Sequence, residues 1–262
     1  MAASGSNYII EPFNGVFFAM FAIFIAILVI ASLIMRNKSE SAKTAVIVAA
    51  CVVTLIGFFF YKYFLSIDPD YDLATQAMGG FNWWGELPLQ LCNINMLLIP
   101  VAVLTKKRPL MCFCFFVGPL GALMAVLMPA AGFSGASILL PRMLGYYGTH
   151  MAIIIEALAI VTFGLFRPRF RDIPKTCLTV VVIAFVVFII NVILRNTGLH
   201  PKANYFFAME TEGNPLLEIF HKLIPLPLLY EIPCIAVLAV YMSVITAFFA
   251  IGGRSADARD DE

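Results

Sequence analysis

Apolar residues run in blocks of about twenty along this chain, separated by short polar breaks. A helix of that length crosses a hydrocarbon core of about 30 Å. The pattern predicts seven such helices, over residues 14–35, 44–66, 86–104, 109–130, 148–166, 175–196 and 231–251. The expected fold class is all-α: a seven-helix transmembrane bundle, one domain over residues 1–251, with 252–262 ("GGRSADARDDE") a disordered polar tail. The connection between the last two spans is long. Residues 197–230 hold Pro201, Pro215, Pro225 and Pro227, which bar one continuous helix, yet they also hold Phe206, Phe207, Leu216, Leu217 and Phe220. Such a segment is too apolar for a free loop and is expected to fold over the end of the bundle. Within it, "NPLLEIFHKL" predicts a short helix with Asn214 as its cap and Pro215 at its first position.

Composition agrees: 61% of residues are hydrophobic and 13% charged, against about 45–50% and about 25% in soluble domains. Mean hydropathy is +0.93. A soluble protein is excluded. The first apolar run has no basic segment before it and only Glu11 as a charge, so it is expected to stay as a helix and not to be cleaved as a signal peptide.

Charge placement adds direction. Arg36, Lys38, Lys43, Lys106, Lys107, Arg108, Arg167, Arg169, Arg171, Lys175, Arg254 and Arg259 fall on one set of ends, leaving only Lys62, Arg142, Arg195, Lys202 and Lys222 on the other. The positive-inside rule then puts the N-terminus outside and the C-terminus in the cytoplasm, which suits seven crossings. A multi-pass plasma-membrane protein is expected, with membrane lipids as partners and no nucleic acid. The sequence sets no oligomeric state and calls for no cofactor and no metal. The external "DPDYDLATQAMG" spaces its aspartates like a calcium loop, but Leu73 stands where the tight-turn Gly belongs and Gly79 where the bidentate Glu belongs. It reads as an acidic solvated loop, followed by Trp83 and Trp84 at the level of an aromatic belt. The six cysteines lie inside or at the edge of apolar runs, and no structural disulfide is expected. In the fourth span, Gly118, Gly121, Ala122 and Ala125 predict a close helix contact.

The third run, "ELPLQLCNINMLLIP", is the polar exception. Drawn as a helix at 100° per residue, Glu86, Gln90 and Asn93 form one stripe and Cys92 and Asn95 a second. Polar groups on two sides predict a central helix, with Pro88 in its first turn. Further polar residues gather at the same, external level: Thr149, His150 and Glu156 in the fifth span, Asn191 and Arg195 in the sixth, Asn204 and Tyr205 in the long loop, Tyr230 and Glu231 at the start of the last span. Ionisable groups inside a membrane face the bundle interior, paired or solvated. The expectation is a polar cavity in the external half, with Arg195 a partner for Glu86 or Glu231. The competing expectation is that these groups only hydrogen-bond helices together.

Three motifs, "ELPLQLCNINMLL", "YYGTHMAIIIEAL" and "NYFFAMETEGNPLLEIF…LPLLYE", resemble in content and order the YwaF family of bacterial integral membrane proteins. That family is similar to the vertebrate transmembrane protein 164 group of phospholipid acyltransferases, and more distantly to the androgen-induced hydrolases of fatty-acid esters. The resemblance implies a lipid acyltransferase or lipid hydrolase, with Cys92 as nucleophile, His150 as its base, and Gln90, Asn93 or Asn191 as hydrogen-bond donors to an oxyanion. It also implies a His at the place of Gln90, where this chain departs. Glu86, Gln90, Asn93, Glu156, Asn191, Arg195, Asn204, Tyr205, Tyr230 and Glu231 are the candidate substrate-binding residues. Alternatives are a non-catalytic seven-helix receptor, a small-molecule binder or a transporter. A retinal protein is excluded because the last span lacks a lysine, and a G-protein-coupled receptor because the third span ends in "VAVLTKKRP".

Overall fold

The computed structural model describes residues 8–76 and 79–260, with side chains to residue 251. The expected disordered tail, with Arg254 and Arg259, therefore lies outside the described side chains. The chain is a helical bundle of α1 (Gly15–Met35), α2 (Glu40–Ser66), α3 (Pro69–Thr75), α4 (Asn95–Thr105), α5 (Arg108–Leu127), α6 (Pro141–Thr162), α7 (Ile173–Asn196), α8 (Pro215–Leu223) and α9 (Ile232–Asp260). Six helices among the described residues are long and apolar enough to cross a membrane: α1, α2, α5, α6, α7 and α9. This is a multi-pass membrane protein. A two-residue ladder pairs Ile9 with Ser137 and Ile10 with Ala136, tying the chain's start to the loop before α6.

Local chemistry sets the ends. The Asn14 side chain accepts the Phe17 amide at 2.9 Å, and the Ser39 hydroxyl accepts that of Ala42. Asn214 accepts the amides of Leu216 and Leu217 at 3.1 and 3.3 Å, with Pro215 opening α8 as its sequence predicts. Helices α5 and α6 are the most enclosed and α1 and α9 the most exposed. α6 packs on α5 and α2, and α4 fits between α2 and α5.

Two expectations change. The third apolar run is not one helix over 86–104. Residues 83–94 form successive turns, and only Asn95–Thr105 is helical. The helical stripes drawn for Glu86 to Asn95 therefore do not exist. Pro88 brings no amide hydrogen, and other groups take over the backbone: the Tyr205 hydroxyl accepts the Leu87 amide at 3.0 Å, and the Asn95 side chain donates to the Leu91 and Cys92 carbonyls at 2.9 and 3.2 Å. Irregular backbone survives at membrane depth where protein surrounds it and satisfies its polar groups. Here α5 makes the room. A Cβ on Gly121 would meet the Cys92 backbone nitrogen at 3.4 Å, and one on Gly118 would meet Asn95 Oδ1 at 3.1 Å. The small residues of this helix do admit a close neighbour, and that neighbour is the irregular segment.

The second change is α6, expected over 148–166 and observed from Pro141. Its first turns carry Arg142, Gly145 and Gly148, which lower hydropathy below that of a span. Arg142 is buried because Asp68, the cap of α3, receives its guanidinium at 3.0 and 2.7 Å. Gly145 lies on Tyr61 of α2 so closely that a Cβ would stand 2.2 Å from the Tyr61 Cβ.

Ion pairs mark the two ends of the bundle. Lys62, late in α2, pairs with Glu86, and Lys106 pairs with Glu40 at the start of α2 at 2.6 Å. The stretch from Glu86 to Lys106 thus runs the length of α2, in the opposite direction. Arg108 and Asp172 meet at 2.5 Å at the same end as Lys106.

Candidate active site

His150 sits nine residues into α6, about 13 Å along it, because that helix begins at Pro141. Its depth then equals that of Cys92, which the turns after Glu86 carry inward. The Cys92 sulfur lies 3.4 Å from His150 Nε2. His150 Nδ1 lies 2.7 Å from the Tyr146 carbonyl, one turn back on α6. A carbonyl only accepts, so Nδ1 carries the ring hydrogen, and Nε2 presents a lone pair to the thiol. The Tyr146 ring, stacked on Phe133, stands 4.5 Å from the imidazole and holds its orientation. Cys92 is 8% exposed and His150 4%. A thiol facing the free nitrogen of an anchored imidazole can hand over its proton and attack an electrophilic carbon.

Around the pair stand three further groups. Asn93 Oδ1 lies 3.6 Å from the Cys92 sulfur. Lys62 pairs with Glu86, whose other oxygen accepts the Tyr71 hydroxyl at 3.1 Å, and its ammonium lies over the Tyr61 ring at 4.7 Å. Lys62 is the member that sequence reading missed. It passed for an end-of-helix charge in "FFFYKYF", and its only signal was that aromatic residues enclose it on both sides.

The remaining candidates hold the long loop. Asn191 donates to the Tyr205 carbonyl and accepts the Tyr205 amide, both at 2.9 Å. The Tyr205 hydroxyl donates to the Trp84 carbonyl at 2.6 Å, and Gln90 Oε1 accepts the Phe206 amide at 3.1 Å. Asn204 binds the Glu210 and Met209 backbone and the Glu212 carboxylate, and the Tyr230 hydroxyl donates to the Phe207 carbonyl. Arg195 does not pair with Glu86 or Glu231. It reaches the Ala203 carbonyl at 2.7 Å and Glu210 at 3.0 Å, because the loop folds back on it first. Glu231 Oε1 is buried without a hydrogen-bond partner among the described residues. Glu156 stands apart from the thiol, held by Thr54 at 2.5 Å and by Cys51 at 3.4 Å. His200 packs against Gly85, and burial holds its imidazole below the ordinary range, with Arg195 adding to that effect and Glu86 opposing it.

Of the three oxyanion donors the resemblance implies, Asn93 is beside the sulfur, whereas Gln90 and Asn191 are engaged with the loop backbone. No group of three or more metal-ligating side chains occurs among the described residues.

Fold and site together define a multi-pass helical membrane protein with a thiol–imidazole pair enclosed in its bundle. The TMEM164 family model matches residues 10–250, and the chain belongs to that family. Comparison with curated proteins and with solved structures gives no match.

Proposed function

We propose that this protein is a lipid acyltransferase or lipid hydrolase that works through an acyl-thioester on Cys92. The observation that carries this reading is the 3.4 Å approach of the Cys92 sulfur to His150 Nε2, with Nδ1 tied to the Tyr146 carbonyl. The thiol gives its proton to Nε2 as sulfur attacks the ester carbonyl of a phospholipid. The C–O bond then breaks, the acyl group stays on sulfur, and the imidazolium returns the proton to the departing lyso-lipid oxygen. A second lyso-lipid hydroxyl, for transfer, or water, for hydrolysis, then gives its proton to Nε2 and attacks the thioester carbon; the C–S bond breaks and the imidazolium returns the proton to sulfur. Asn93, beside the sulfur, is the proposed donor to the oxyanion through its side-chain N–H. Membership of the TMEM164 family supports this chemistry, as does the resemblance to the YwaF family.

The same reading has seven crossings, with α4 and the turns before it forming the third. The Lys62–Glu86 and Lys106–Glu40 pairs at the two ends of α2 support it. The crowding of Lys and Arg at the Lys106 end supports an external N-terminus and a cytoplasmic C-terminus, and the plasma membrane is the proposed location. Lipid mass spectrometry tests the function. Cells producing the wild-type protein should change the acyl composition of their phospholipids, and Cys92→Ala and His150→Ala should each abolish that change. Equal profiles in wild type and both variants, at equal protein levels, would leave a non-catalytic binder as the better reading.

A further inference from the structure

At the basic end of the bundle, away from Cys92, a cavity of about 650 Å³ opens between the end of α6 and α9. Arg108, Arg167 and Arg169 line it, together with Phe166, Phe248 and Phe249. A smaller cavity of about 310 Å³ adjoins it, sharing Arg167, Arg169 and Phe249 and reaching Thr246 of α9. Arg108 begins α5, whereas Gly121, which touches the Cys92 backbone, lies thirteen residues further on, about 20 Å along the helix. The two sites are therefore separate.

Charge in this cleft is out of balance. Arg108 is held by Asp172 at 3.1 and 2.5 Å and lies over the Phe166 ring at 4.8 Å. Arg167 donates to the Phe249 carbonyl at 2.6 Å, a neutral partner. Neither Arg167 nor Arg169 forms an ion pair among the described residues. Among the described residues, three guanidinium groups thus face one carboxylate. A second, independent observation lies in the smaller cavity. Thr246 is 1% exposed, yet its hydroxyl has no hydrogen-bond partner among the described residues. A buried hydroxyl left unpaired is costly and marks a place for an oxygen-bearing ligand.

We infer that this cleft binds an anionic phospholipid of the leaflet at the basic end. Its phosphate sits between Arg167 and Arg169, an oxygen of its glycerol backbone meets Thr246, and an acyl chain lies along α9 beside Phe248. Guanidinium groups suit phosphate through paired N–H donors, and basic clefts between helices on this side of a membrane suit such headgroups. Phosphate alone could satisfy the arginines. The apolar wall and the opening toward α9, whose Phe248 is largely exposed, select the lipid.

Thermal unfolding of the purified full-length protein in neutral detergent tests this, with dioctanoyl phosphatidylglycerol, dioctanoyl phosphatidylcholine or inorganic phosphate added. At tenfold the dissociation constant, the anionic lipid should raise Tm by about 3–6 °C. Inorganic phosphate should leave Tm within about 1 °C, and any shift with phosphatidylcholine, which can enter the Cys92 site as a proposed substrate, should be the same in Arg169→Gln as in wild type. Arg169→Gln removes no side-chain hydrogen bond to a described residue, so the variant should unfold at the wild-type temperature without lipid and lose most of the shift. Thr246→Val should weaken it, and Lys38→Gln, in the α1–α2 turn, should retain it in full. An equal shift with inorganic phosphate, or an undiminished phosphatidylglycerol shift in Arg169→Gln, would overturn the inference.

Discussion

Lys62 is a lysine on an apolar helix, 6% exposed, with Phe58 and Tyr61 against its ammonium and Glu86 as its anion. Two opposite charges enclosed together are stable only as a pair, and deleting one leaves the other stranded at a cost of about 3–5 kcal/mol. Lys62→Met should therefore lower Tm strongly in detergent, while the Lys62→Met/Glu86→Gln double variant should recover much of the loss. A double variant no more stable than the single would show that the ammonium serves something other than Glu86. His200 makes a milder pH-dependent contribution. Because burial lowers its folded-state pKa, it stabilises its contact with Gly85 fully above the ordinary imidazole value, and that contribution is lost as pH falls below it. Limited proteolysis should cut near residues 199–203 faster at pH 5 than at pH 7.5, and His200→Gln should flatten the difference. The sequence marked Cys92 and His150 through their motifs. It did not show that the sulfur and Nε2 would meet, because that depends on two local features hydropathy does not report: the turns that follow Glu86 and the two extra turns that open α6.

At the scale of elements, the apolar blocks located α1, α2, α5 and α7 to within a few residues, since twenty apolar residues in lipid have few alternatives to a helix. The third run escaped that logic. Its backbone groups find partners on Tyr205 and Asn95 instead of within a helix, and no periodicity encodes a partner more than a hundred residues away. The loop after α7 is the other half of that arrangement. Asn191 grips Tyr205 by both backbone groups, and Tyr205 in turn grips residues 84–87. Asn191→Ala leaves the Tyr205 amide without its partner and the Tyr205 carbonyl with only the Ala208 amide at 3.2 Å, at about 1–3 kcal/mol for the buried group so stranded. It should speed proteolysis within 203–212 and lower Tm, whereas loss of the exposed Thr197 side chain should do neither. Contact between helices is equally specific at Gly145. Gly145→Ala collides with Tyr61 and should cost about 1–3 kcal/mol, read as a drop in Tm and in yield. An unchanged Tm would mean that α2 and α6 pack less closely than the structure has them.

Over the whole molecule, polarity is divided between two ends. One end carries the enclosed thiol, imidazole and ion pair beneath a latched loop, and the other carries arginines around an open cleft. On the proposed seven-crossing topology these ends face opposite sides of the membrane. In intact cells, a membrane-impermeant maleimide should label a cysteine placed at Asn82 but not one at Lys106. The reverse pattern would invert the topology, and labelling at both would remove the third crossing. The central claim concerns the pair itself, that sulfur and imidazole act together to take an acyl group from a phospholipid. Its most direct measurement is the acyl-enzyme. Purified protein in micelles is incubated with a phospholipid carrying an isotope-labelled acyl chain, and the Cys92 peptide is then analysed by mass spectrometry. Wild-type protein should carry the labelled acyl group on Cys92 in a bond that neutral hydroxylamine cleaves, and His150→Ala should reduce that adduct at least about 100-fold. A Cys92 peptide that never gains the acyl mass while the labelled phospholipid is still turned over, or an adduct that forms equally well without His150, would contradict it.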